Sequence, residues 1–116
     1  MRLGIIARTF ARPTLAEVFD AVRGHGIDCV QFNFSCAGLP NLPDQIEPAK
    51  VDQVCGEARQ HQLAIVAVSG TFNMIHPDPE HRRDGLRRLR VIAAACQRLG
   101  APLITLCTGT RDAQNM

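Results

Sequence analysis

Apolar residues recur along this chain in two alternating rhythms. Leu3 to Ala7 form a short apolar run closed by Arg8 and Thr9, the pattern of a buried strand. Thr14-Leu15-Ala16-Glu17 then sets a hydroxyl at the N-cap and a carboxylate three residues on, and Leu15, Val18, Phe19 and Val22 share the spacing of one buried helix face. Gly24 and Gly26 supply the permissive backbone that ends this helix. Cys29 to Phe34 has the alternating, β-prone character of a second strand.

Between Ser35 and Pro48, the residues Gly38, Pro40, Asn41, Pro43 and Pro48 preclude a regular element, and loops of this length often carry function. A second helix is expected from Ala49 to Gln62, with Val51, Val54, Cys55 and Ala58 inside. Leu63 to Val68 is nearly unbroken apolar sequence, which belongs to a parallel sheet covered on both faces. After a loop from Ser69 to Pro77, Asp78-Pro79-Glu80 opens a third helix with a carboxylate N-cap, proline at the first position and an acid in the first turn. Leu86, Leu89, Ile92, Ala93, Cys96 and Leu99 are expected on its inner face. Gly100 stops it, Pro102 prevents its continuation, and Leu103 to Cys107 reads as a fourth strand.

The resulting order, β-α-β-α-β-α-β, implies right-handed crossovers and a parallel sheet. A complete (β/α)₈ barrel takes about 250 residues, so 116 residues hold somewhat under half of one. The expected fold class is α/β, a parallel (β/α) half-barrel made of the first three and a half βα units of a TIM barrel. Residues 1–116 are read as the N-terminal part of such a domain, truncated by cloning, proteolysis or an incomplete gene model.

Composition narrows the class without naming a function. With 46% apolar and 21% charged residues and a net charge of +2, the chain is ordinary globular sequence, too weakly basic to predict nucleic-acid binding. No apolar run approaches the ~20 residues that span a bilayer, and the start reaches Arg8 too soon to hold a signal-peptide core. The five cysteines are odd in number and lack a C-x-x-C pair or zinc spacing, which suits reduced thiols in the cytoplasm. No membrane partner is expected.

In a parallel α/β arrangement the ligand lies at the carboxyl ends of the strands. Those ends carry Arg8 and Thr9, then Asn33, Ser35 and Cys36, then Ser69, Thr71, Asn73 and His76, then Thr108, Thr110, Arg111 and Asp112. Sugars need many neutral hydrogen-bond partners, and phosphate or carboxylate needs an arginine or a helix N-terminus, so this inventory suits a polyol or sugar-acid ligand. Asn33, Asn73, His76, Thr108 and Arg111 are the candidate substrate-binding residues.

Each of these has a purely structural alternative. His76 can pack on or cap the turn before the third helix, Asn33 and Asn73 can bond their own loop backbone, and Arg111 can pair with Asp112. His25, His61 and His81 fall at helix ends or in a first turn and are read as solvated surface. The arginines of the third helix lack interleaved aromatics and share their region with Glu80 and Asp84, which marks a solvated outer face. Neither Gly70 nor Thr108-Gly109-Thr110 matches a nucleotide-binding glycine loop.

Taken together, Gly70-Thr71-Phe72-Asn73-Met74-Ile75-His76-Pro77, Cys96-Gln97-Arg98-Leu99-Gly100-Ala101-Pro102 and Leu106-Cys107-Thr108-Gly109-Thr110-Arg111-Asp112 resemble the xylose isomerase-like barrel superfamily, specifically its sugar phosphate isomerase/epimerase members. The resemblance covers essentially the whole chain as the N-terminal half of that family. It implies a metal-dependent isomerase or epimerase acting on a sugar or sugar phosphate. In such enzymes a divalent metal (Mg²⁺, Mn²⁺, Co²⁺ or Zn²⁺), held by Glu, Asp and His at the C-terminal barrel face, polarises a carbonyl while acid/base groups move a proton or hydride between adjacent carbons. Those ligands largely come from later strands. No metal ligand or catalytic residue is therefore assigned to this chain, Asn73, His76 and Arg111 carry over as substrate-side contacts, and the fragment alone is expected to be inactive.

Two other readings follow from the same sequence. The superfamily includes apurinic-site endonucleases with a zinc-binding histidine at the ends of both the third and fourth strands, but here Ala67-Val68-Ser69 and Cys107-Thr108-Gly109 stand there, which makes that reading distant. A self-contained, non-catalytic α/β ligand-binding or regulatory module would be a stable monomer with covered sheet edges. The apolar first and fourth strands would instead both be open edges, so self-association through them is expected.

Overall fold

The computed structural model describes residues 2–107 and residue 109. In chain order the elements are β1 (Gly4–Ile6), α1 (Leu15–Gly24), β2 (Cys29–Phe32), α2 (Pro48–Gln60), β3 (Ala64–Ser69), α3 (Pro79–Leu99) and β4 (Leu103–Thr105), with short 3₁₀ turns at Ala7–Thr9 and Phe34–Ala37. The strands form one parallel four-stranded sheet in the order β1-β2-β3-β4. Strictly sequential order arises when every crossover steps one strand in the same direction. That is the arrangement of a (β/α)₈ barrel and differs from a doubly wound sheet, where the order reverses. The chain is thus an α/β half-barrel with two open edges, β1 and β4.

Strand alternation decides what each face of the sheet carries. Ile5 pairs with Val30, and Phe32 with Val68 and then Ile104, and this row joins the core under the helices. Phe19 of α1 meets Phe32 at 6.1 Å between ring centroids, and Val54 of α2 and Ile92 of α3 are fully buried in the same cluster. Burying each such side chain contributes roughly 1.5–3 kcal/mol, which outweighs the weak intrinsic stability of helices this short. The opposite row, Ile6, Gln31, Ala67 and Leu103, faces away from the helices. Its end members remain open, with Ile6 45% and Leu103 62% exposed. The β2–β3 register shifts after Val30, passing over Val66, which is left 38% exposed.

The helix starts follow the sequence pattern. Thr14 Oγ1 accepts a hydrogen bond from Glu17 N at 3.2 Å, and Asp78 Oδ1 accepts one from Glu80 N at 3.0 Å with Pro79 in the first turn. Gly100 leaves α3 in the left-handed conformation, φ 71°.

Several details depart from the sequence reading. β1 is shorter than Leu3 to Ala7, because Ala7 already turns into a 3₁₀ coil. β2 ends at Phe32, since the chain coils from the buried Phe34 to Ala37, so the stretch from Ser35 opens in a regular turn. On α3, Leu86 and Ala93 are exposed while Gly85, Ile92, Ala95 and Cys96 are buried. The inner face runs through Ile92 and Cys96 as expected, with Leu89 and Leu99 partly buried, and Gly85 and Ala95 take the places expected of Leu86 and Ala93. Phe72 lies against Gly85, where a Cβ has no room, and Arg88 sits in the seam, donating to the Leu42 carbonyl at 3.1 Å and to Asp84 Oδ2 at 2.7 Å. Cys55, expected inside α2, is half-buried. No helix among the described residues is long and apolar enough to cross a membrane.

Candidate functional site

A cleft of about 420 Å³ opens over the carboxyl ends of the strands. Its floor follows from strand parity: Gln31 stands on the face opposite the helices, Asn33 lies two residues further along the same chain direction, and Ser69 pairs with Thr105 across β3 and β4. Thr71 and Asn41 complete a lining of neutral hydrogen-bonding side chains, Ile6 and Leu106 give it apolar walls, and Arg8 is the cationic group among the described lining residues. Among the described lining residues there is no carboxylate and no imidazole.

Asn33 is the most informative of them. It is 3% exposed, its carbonyl accepts from Cys36 N at 2.9 Å, and its Oδ1 is buried without a hydrogen-bond partner. Thr105 Oγ1 is likewise buried and unpartnered, although the Thr105 carbonyl accepts from Gly70 N at 3.0 Å. An unsatisfied buried acceptor costs about 1–3 kcal/mol, so two in one cleft call for a physical reason. The alternative in which Asn33 Oδ1 bonds its own loop backbone does not occur among the described residues.

Asn73 and His76 are placed differently. Both stand on the β3–α3 loop and outside the cleft lining. Asn73 Oδ1 accepts from Ile75 N at 3.3 Å and its carbonyl accepts from His76 N at 3.3 Å. His76 Nδ1 accepts from Asp78 N at 3.1 Å, its carbonyl accepts from Arg82, and its ring stacks on His81 with centroids 4.0 Å apart. Local bonds thus engage Asn73 Oδ1 and His76 Nδ1. Thr108 and Arg111 lie outside the described residues.

The remaining histidines hold structure. His25 Nδ1 bonds the Ala21 carbonyl at 2.8 Å, and His61, half-buried where sequence placed it at the solvated surface, bonds the Glu57 carbonyl at 2.8 Å and meets Phe19 edge-on at 6.0 Å. Cys36 sits behind the cleft, and burial pushes its thiol above the usual range, against weaker opposing effects of the Asn33 backbone and the Arg8 charge. It stays a neutral thiol at pH 7.

Gln31, Asn41 and Thr105 were not among the residues singled out from sequence. Parity carried a usable signal for two of them. Gln31 is the polar break in Cys29-Val30-Gln31-Phe32, in phase with Asn33, and Thr105 is the polar break in Leu103-Ile104-Thr105-Leu106. Asn41 comes to the cleft only by the path of its loop, which periodicity cannot foresee.

A family model described as xylose isomerase-like TIM barrel matches residues 19–115. A comparison with curated proteins finds no match. The matched span runs from within α1 past β4, and the sheet has the sequential parallel order of that barrel. On both grounds, the chain belongs to the xylose isomerase-like TIM barrel family.

Proposed function

We propose that this chain is the substrate-holding part of a cytoplasmic isomerase or epimerase of sugars or sugar phosphates. The observation that carries the reading is the buried, unpartnered Asn33 Oδ1 in a cleft lined by neutral polar groups at the strand carboxyl ends. A polyol presents many hydroxyl donors in a small volume, and a small torsional change at Asn33 lets one of them satisfy this oxygen. Gln31, Ser69, Thr71 and Thr105 supply donors and acceptors for neighbouring hydroxyls. Holding them in one geometry is the chain's contribution to rate, through orientation. The five free cysteines support the cytoplasmic placement.

A divalent metal belongs to this proposal, yet the described residues do not fit one. No group of three His, Cys, Asp or Glu among them is arranged to hold a metal ion, and of the described cleft residues only Cys107 is of that kind. No catalytic step is derived through a metal or assigned to a residue of this chain. The lack of a carboxylate or imidazole among the described lining residues favours, as second reading, a non-catalytic ligand-binding module of the same specificity. The endonuclease reading stays the distant one, since Ser69 and Cys107 stand at the strand ends where it requires histidine.

The test is calorimetric titration of the chain with D-xylose, D-xylulose and xylitol, alongside an assay of aldose–ketose interconversion. Binding that Asn33→Ala weakens roughly tenfold, without turnover by the 116-residue chain, is the expected result. No binding of any polyol would overturn the proposal.

A further inference from the structure

Arg8 leaves the end of β1 on the 3₁₀ turn Ala7–Thr9, and its side chain lines two cavities at once. One is the cleft of about 420 Å³ already described. The other is a recess of about 190 Å³ between Arg8, Arg12, Ser35 and Cys36, with Phe10 and Val18 at its apolar side. Neither lining contains a described carboxylate. Arg8 makes no hydrogen bond or ion pair with any described residue. Arg12 gives one donor to the Ala11 carbonyl at 3.2 Å and lies over the Phe10 ring at 6.0 Å, which leaves the rest of its guanidinium to the recess.

This pattern differs from that of four arginines on α3. On α3, Arg83, Arg87, Arg88 and Arg98 are all paired with carboxylates. Two arginines converging on a cavity with no anion of their own make a local positive potential, strongest where the walls exclude water. The Cys36 thiol is kept neutral by burial and adds no opposing negative charge, and Ser35 adds a neutral hydrogen-bonding group.

We infer that the recess at Arg8 and Arg12 takes the anionic terminus of the substrate, a carboxylate or a phosphate, while its hydroxyl-bearing carbons lie over Gln31, Asn33 and Thr105. The inference rests on the polyol reading of the cleft and gives it a direction. The charged end of the molecule lies toward β1 and the neutral chain runs across the sheet toward β4. Arg8, shared by both cavities, is the specificity-determining residue because it stands where the two ligand chemistries meet. A planar guanidinium suits both carboxylate and phosphate through paired donors, which a lysine does not reproduce.

The experiment is titration calorimetry of the full chain with xylitol, D-xylonate, D-xylulose 5-phosphate and inorganic phosphate at low and moderate salt. The polyhydroxy anions are expected to bind roughly tenfold or more tighter than xylitol, in line with a hydrogen bond to a charged group. This advantage should shrink with added salt, while xylitol binding stays unchanged. Arg8→Gln should remove the advantage, and Arg8→Lys should restore part of it. Arg8 is exposed, so these variants are expected to fold. Competition by inorganic phosphate assigns the recess to a phosphate end, and preference for xylonate without such competition assigns it to a carboxylate. Equal affinity for xylitol and the anions, or an anion advantage that survives Arg8→Gln, overturns the inference while leaving the polyol reading intact. Absence of binding by xylitol and both polyhydroxy anions overturns the two together.

Discussion

Asn33 shows how one residue separates function from stability. An amide oxygen buried without a partner is a cost to the folded state, and replacing it by an apolar group of similar shape removes that cost. Asn33→Leu is therefore expected to raise unfolding stability by about 1 kcal/mol in urea denaturation and to abolish polyol binding. A loss of stability of comparable size would mean that the amide is needed for the fold itself. At this scale the sequence was legible by chemistry more than by contact. Asn33 could be read as a polar residue closing a strand, and the structure puts it in the cleft. Asn73 and His76 were equally visible as polar loop residues, but whether their atoms face a ligand or their own turn depends on backbone torsions that composition and spacing do not encode.

The elements were readable wherever a local rule acted alone. Thr14 and Asp78 cap their helices by the predicted hydroxyl and carboxylate, because capping depends only on the next few residues. The inner face of α3 holds Ile92 and Cys96 as expected but excludes Leu86 and Ala93, because its edge is set by what packs on it. Phe72 over Gly85 and Arg88 at the Leu42 carbonyl occupy that edge of the helix and leave Leu86 outside. Gly85→Ala weighs these effects against each other. Alanine gains roughly 1 kcal/mol of helix propensity, whereas overpacking against a ring costs about 1–3 kcal/mol. Net destabilisation is expected, while Leu86→Ala on the exposed face should change stability by less than about 0.5 kcal/mol. Chemical denaturation of both variants decides the phase of the helix.

The same helix gives a pH signature. Hydrogen bonds from Arg87 and Arg88 hold the Asp84 carboxyl below the usual carboxylate range. A depressed folded-state value means that Asp84 stabilises the protein above its unfolded value and that this contribution is lost as pH falls through the folded one. Asp84→Asn should accordingly lower stability slightly near neutrality and leave it unchanged in strong acid. Denaturation curves at both pH values check the sign.

At the scale of the molecule, strict alternation of strands and helices was enough to anticipate a parallel sheet in sequential order, since right-handed crossovers leave few other arrangements. The same architecture exposes Leu3, Ile6, Leu103 and Leu106 near the two open edges. Unpaired strand edges with apolar side chains invite pairing, so the isolated chain is expected to associate with itself, and a sharp monomer peak in sizing chromatography at micromolar concentration would count against this. Helices cover one face of the sheet and leave the other, with its cleft, open to a ligand. The most direct measurement of that role is a crystal structure of the chain with D-xylose. The sugar is expected over the strand carboxyl ends, with its hydroxyls bonded to Asn33 Oδ1 and Thr105 Oγ1. A sugar bound elsewhere, or a cleft that stays empty at saturating ligand while both atoms remain unpartnered, would contradict it.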